Sequence, residues 1–234
     1  MKKQQSGSGV SPVPAPALPL LSVGQPSCSR CAESRSPLSD QGEIIKKQGY
    51  YLPHWTAESA IYHVVFRLAD SLPKEVLKSF EVERDDLLKQ PNLTSGERER
   101  LTYLASKRVE AYLDAGHGNC LMNRPQIADI VMDSILFFEG SRYVLHAWCV
   151  MPNHVHLVIE PVTEHQLSSI LHSIKSFTSH RINKLTSMSG IVWQKESYDH
   201  LIRSELALER ALNYVSNNPT EAGLTGWKWV SPQA

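Results

Sequence analysis

Two histidines one residue apart, His154 and His156, lie in a run of β-formers reading MPNHVHLVIEP. Along a strand, residues two apart share a face with roughly 6–7 Å between their Cα atoms. The imidazoles therefore stand side by side, and one divalent ion can bridge them. Val155 and Leu157 then point to a core while the histidines point to a cleft. Strand histidines are also commonly held only by hydrogen bonds or left to solvent, so the pair alone leaves metal, phosphate and plain structural roles open. A second group lies near the C-terminus, where Arg210, Tyr214 and Asn218 follow at intervals of four and share one face of a helix. A tyrosine beside an apolar stripe is commonly a boundary residue. As a nucleophile it would need a cation to favour its phenolate, since its reference pKa is near 10. Arg210 is either that cation or a solvated helix charge. Glu160 has the parity of the histidines, so it either approaches an ion's outer shell or is a strand-end surface charge. Pro219 disfavours helical geometry at Asn218, so its place on that face depends on how the helix ends.

The elements that must hold these residues follow from pattern. Tyr62, Val64, Phe66 and Leu68 alternate with His63, Val65 and Arg67, which predicts a strand. The stretch from Lys74 to Ala115 is charged and helix-favouring, with a breaker at Pro91 and a cap available at Thr94 and Ser95. Pro125 suits a helix start, and Ile127, Ile130, Val131, Ser134, Ile135 and Phe138 give a stripe at helical spacing. Strands over 143–150 and 154–159 around Met151-Pro152-Asn153 make a hairpin. The spacing then predicts a helix over 167–185, with Leu167, Ile170, Leu171, Ile174, Phe177 and Thr178 on one side and Lys175, His180 and Arg181 on the other. A bent or broken strand follows over 191–202. Ser204 caps a last helix running to about Asn217 and stopped by Pro219, with Leu208, Ala211, Leu212 and Val215 as its stripe. This order describes an α+β sandwich, an antiparallel sheet with helices packed on it.

Composition narrows the class. The chain has 234 residues, 41% hydrophobic, with 24 basic and 24 acidic side chains. It suits one core plus a tail, and has no global basic field. No apolar run reaches the roughly 20 residues that cross a bilayer, and the N-terminus lacks a signal-peptide core; a cytoplasmic protein is expected. Residues 1–48, rich in Ser, Pro, Gly and Gln, are expected to be a disordered tail. The tail's Cys28 and Cys31 lack the second pair that a zinc site needs. A single domain is expected over 49–230, with a helical insertion at about 74–123.

Several separated segments carry a family resemblance: HAWCVMPNHVHLVIEP, LHSIKSFTSHRIN, VWQKESYDHLIRSE, NYVSNNPTEAGL and, earlier, LPHWTAESAIYHVVFRLADSLP. In this order they resemble the REP-associated tyrosine transposases, a branch of the HUH single-tyrosine transposases in which two histidines flank a hydrophobic residue. The resemblance spans almost all of 50–224. It implies a ferredoxin-like antiparallel sheet of the HUH nuclease fold, Tyr214 as nucleophile, and His154, His156 and Asn218 as metal ligands. Mixed nitrogen and oxygen ligation suits Mg²⁺ or Mn²⁺, the latter better on softness. The implied reaction is cleavage and rejoining of single-stranded REP-like hairpin DNA through a 5′-phosphotyrosine link. The branch tends to act as a monomer with its own tyrosine in cis. Lys175, Arg181, Lys184, Lys195, Arg203 and Arg210 could meet DNA phosphates, with His180 and Trp193 available for stacking; each basic residue is otherwise an ordinary solvated charge, and Trp193 a core residue. Two other readings are a DNA-binding protein of this fold without chemistry, and a metal-dependent hydrolase that uses the histidines with water as nucleophile.

Overall fold

Alternating side chains on three long strands decide the architecture, because each strand must bury one set of residues on either face of a single sheet. In the computed structural model the described residues are 45–48 and 53–56 (backbone), 60–73, 75–79, 82, 86, 94, 96 and 108–232. The chain divides into units 1–35 and 36–234, and all of the described residues belong to the second. The strands are β1 (Ile45–Gln48), β2 (Pro53–Thr56), β3 (Tyr62–Arg67), β4 (Tyr143–Val150), β5 (His154–Pro161) and β6 (Tyr198–Leu201). The helices are α1 (Pro125–Leu136), α2 (Leu167–Thr186) and α3 (Glu205–Glu221), and residues 108–114 are helical as well. β1 and β2 form an antiparallel hairpin, and the other four strands form an antiparallel sheet in the order β4-β5-β3-β6. The boundary expected at residue 48 falls inside the β1–β2 hairpin. The tail's Cys28 and Cys31, and the breaker Pro91, lie outside the described residues.

The sheet and its helices match the expected α+β class. Tyr62, Val64 and Phe66 of β3 join Val155, Leu157 and Ile159 of β5 in the main core, closed by Ile127, Val131 and Ile135 of α1 and Ile170, Leu171 and Ile174 of α2. The opposite face carries a smaller core of Ile61, Cys149, Val158 and Val215, over which α3 packs. Leu113 packs with Val65 and Leu72 on that side. The histidine parity of β5 therefore faces α3 and the 108–114 helix. Register fixes what stands beside each histidine: Val65 and Cys149 flank His156, and Arg67 flanks His154.

Three expectations are corrected. Pro219 does not stop the last helix, which runs on to Glu221 with the proline inside it. In the final turn the missing N–H costs one bond only, and Ala222 and Leu224 still donate to Asn218 and Pro219 carbonyls;. Phe177 is 53% exposed, because at 100° per residue it falls on the edge of a stripe whose buried members continue to Thr178 and Ile182;. Phe138 lies beyond α1, which ends at Leu136. One feature was not anticipated: residues after α3 return along the free edge of β4, where Val150 donates to the Trp229 carbonyl and Ser231 to that of Trp148. This covers an edge that would otherwise offer unpaired backbone groups. No helix among the described residues is long and apolar enough to cross a membrane.

Candidate functional site

The β4–β5 turn aims the site. Met151 N–H bonds the His154 carbonyl at 2.8 Å, closing the hairpin, and Asn153 stands at its tip with its side chain turned inward and buried. The Asn153 amide nitrogen donates to the carbonyls of Leu113, at 3.1 Å, and His117, at 2.9 Å. These two bonds fix which way the amide points, so its oxygen is the atom at 2.7 Å from His154 Nδ1. His154 must then carry its proton on Nδ1, leaving the Nε2 lone pair facing inward. One asparagine thus sets the histidine tautomer and holds the end of the 108–114 helix, where Asp114 lies.

His154 is 1% exposed, and burial pulls its pKa down to about 3, so the ring is neutral;. Its Nε2 lies 2.8 Å from Nε2 of His156 and 3.6 Å from Oδ1 of Asp114. The last contact is no salt bridge, since the imidazole is uncharged; it is an acceptor lone pair facing a carboxylate. Acceptors that converge in this way are suited to a cation. Asp114, His154 and His156 each offer an atom within 4.8 Å of the others, so the three could hold a metal ion. Asn218 is 2% exposed, and its Oδ1 is a buried oxygen with no hydrogen-bond partner among the described residues. A buried acceptor left in that condition is costly. Lying one helical turn beyond Tyr214, it also suits a cation.

Tyr214 reaches the histidines from α3. Its ring stands edge-on to His156, with centroids 5.4 Å apart, and to His63, at 5.8 Å. Its Oη donates to Oε2 of Glu110 at 3.4 Å. Burial first, then the Glu110 and Asp114 charges, push the phenol well above its ordinary value, so the resting tyrosine is protonated;. His63 stacks on His156, with its Nε2 3.3 Å from His156 Nδ1. Cys149, in register with His156, is buried, and burial and Asp114 raise its thiol to about 12. It is therefore a neutral wall of the site.

Among the residues singled out from sequence, His154, His156 and Tyr214 come together on one face of the sheet. Arg210 is exposed on α3, and Arg181, Lys184, Lys195 and Arg203 are exposed as well. Lys175 is half-buried and donates to the Lys195 carbonyl at 2.9 Å and to Ser197 Oγ at 3.3 Å, pinning that loop to α2. Trp193 belongs to the core and donates to Thr178 Oγ1, while His180 is exposed. Glu160 pairs with His146 at 2.9 Å. Sequence reasoning missed Asp114, Glu110, His63, Asn153 and Arg67. For His63 and Arg67 a signal existed, the odd parity of β3. Arg67 lies opposite His154, and burial lowers its guanidinium to about 10. Asp114 and Glu110 reach the site across long sequence separations that no local pattern reports, and Asn153, beside His154 in the chain, reads as an ordinary turn residue.

Residues 136–218 match the model of the family described as Transposase IS200 like. No curated protein matches the chain by sequence. Solved structures similar to it include a REP-associated tyrosine transposase bound to a REP hairpin, 14% identical over 79% of this chain and 80% of that one, with a TM-score of 0.45. Another is a candidate transposase from Deinococcus radiodurans R1, 14% identical over 68% of this chain and 89% of that one, with a TM-score of 0.29.

Proposed function

We propose that the chain, whose residues 136–218 match the family described as Transposase IS200 like, is a metal-dependent endonuclease and strand transferase for single-stranded DNA hairpins of the REP kind, working in the cytoplasm. The observation that carries this reading is the meeting of Tyr214 with His156 on the face where the Nε2 atoms of His154 and His156 converge with Asp114. A nucleophile and a cation-holding group on one face are what phosphodiester transfer requires. His154, His156 and Asp114 would hold the ion, with Asn218 supplying an amide oxygen. Mg²⁺ or Mn²⁺ suits this mixture, Mn²⁺ better for its imidazole share. When bound, the ion polarises the scissile phosphate and neutralises its developing charge.

Tyr214 Oη attacks phosphorus, forming a 5′-phosphotyrosine link and releasing a 3′-hydroxyl. The bond energy is kept in that link, so a second 3′-hydroxyl can rejoin the strand without ATP. Asn153 holds His154 in the tautomer that presents Nε2, and His63 supports the ring of His156. Arg67, beside His154, is placed to meet a phosphate. The exposed Arg181, Lys195, Arg203 and Arg210 would neutralise flanking phosphates, and Lys175 would act on DNA through the loop it pins. Because Tyr214 lies against its own chain's histidines, the reading is of a monomer cutting in cis.

The test is incubation with Mn²⁺ and a labelled pool of hairpin oligonucleotides with randomised single-stranded flanks. A detergent-stable protein–DNA adduct is expected, lost in Tyr214→Phe and on chelation. Binding without adduct, or cleaved DNA that does not depend on Tyr214, would overturn the proposal.

A further inference from the structure

Glu110 is 6% exposed, and it lies one helical turn before Asp114 on the 108–114 helix. Residues four apart share a helix face, so this helical stretch turns two carboxylates toward one site. Asp114 approaches the histidine nitrogens, and Glu110 accepts the hydrogen bond of Tyr214 Oη. Burying a carboxylate is expensive, and this one is spent on the reacting atom of the nucleophile. A protonated phenol must lose its proton as the bond to phosphorus forms.

The geometry points to Glu110 as the catalytic base of the strand-cleavage step and the acid of the rejoining step. This rests on the transferase reading above. In cleavage, the Tyr214 O–H bond breaks and its proton passes to Glu110 Oε2. The phenolic oxygen forms the new P–O bond while the P–O3′ bond breaks. The departing electron pair stays on the 3′-oxygen, which takes a proton from solvent. In rejoining, an incoming 3′-hydroxyl gives its proton to solvent and attacks phosphorus. The P–O bond to Tyr214 breaks, and Glu110 returns the stored proton to the phenolate. The 3.4 Å separation is long for an O–H···O bond;, and contacts of this kind tighten as substrate binds.

Glu110→Gln keeps the size of the side chain and its ability to accept a hydrogen bond, but it cannot take the proton. On the same oligonucleotide pool with Mn²⁺, adduct formation is expected to slow about 100-fold or more, with hairpin binding unchanged. Replacing Tyr214 by a fluorotyrosine, whose phenol is more acidic, should restore much of the rate in Glu110→Gln, because an acidic phenol needs less help. A residue that merely orients the ring gives no such rescue. Formate added to Glu110→Ala provides a separate reading and should restore adduct formation in proportion to its concentration. A Glu110→Gln rate close to wild type, or loss of rate that neither fluorotyrosine nor formate repairs, overturns the role of Glu110 alone. A wild-type chain that forms no adduct overturns the transferase reading and this role together.

Discussion

At the scale of single residues, one amide braces both the histidine and the carboxylate side of the candidate site. Asn153 orients His154 and clamps the carbonyls of Leu113 and His117, so it sets both the imidazole and the approach of Asp114. Substituting Asn153→Ala should lower Mn²⁺ affinity about 10- to 100-fold, as loss of such supporting bonds typically does; titration calorimetry reads it directly. His154→Ala removes a proposed ligand outright. It should abolish adduct formation while hairpin binding, followed by gel shift, stays largely intact, and equal loss of both would count against the metal role. The histidine pair was legible in the sequence because a parity of two in a strand is a local signal, whereas Tyr214 was reached only through the resemblance carried by NYVSNNPTEAGL. Asp114, Glu110 and Asn153 were not legible. Asp114 and Glu110 meet His154 and Tyr214 across 40 and 104 positions, Asn153 is adjacent to His154 but its anchoring carbonyls lie 36 and 40 positions away, and the loop composition around Asp114 reads as an ordinary turn.

Among the elements, α3 carries Tyr214, the proposed nucleophile, and is capped by Ser204, whose Oγ accepts from the Ala207 N–H at 3.2 Å. Ser204→Ala should cost about 1 kcal/mol, read as a lower denaturation midpoint. Patterning identified the cap and the apolar stripe correctly but put the helix end too early, since a proline in the last turn forfeits little. On the other face, α2 holds the loop after Trp193 through Lys175. Burial lowers this lysine from 10.5 to about 8, with the Glu196 charge working against the shift and that of Arg67 adding to it. Between those two values the unfolded chain binds more protons than the folded one, so the lysine's contribution to stability rises with pH across that window and is least favourable below it. Denaturant midpoints measured from pH 7 to 10.5 should therefore rise more steeply in wild type than in Lys175→Met. Identical slopes would show that the folded lysine titrates normally.

On the scale of the whole molecule, the sheet divides the labour: α1 and α2 close the main core on one face, and the other is left to α3, the 108–114 helix and the histidines. The α+β class was legible because strands and helices switch period cleanly from two to 3.6 along most of 60–221. The return of residues 229–231 along β4 was not, because three residues of edge pairing carry no pattern of their own. Catalysis in cis predicts that mixing His154→Ala with Tyr214→Phe chains will not restore the adduct, whereas restoration would mean that the tyrosine is exchanged between chains.

The segment matched to IS200-like transposases, 136–218, contains both histidines and the tyrosine, yet Asp114 and Glu110 lie ahead of it, between β3 and α1. The candidate site is thus drawn from two stretches of chain. On the proposed reading, variation in the earlier stretch would retune ion preference and turnover while the matched segment stays untouched, so two proteins with the same signature need not work at the same speed.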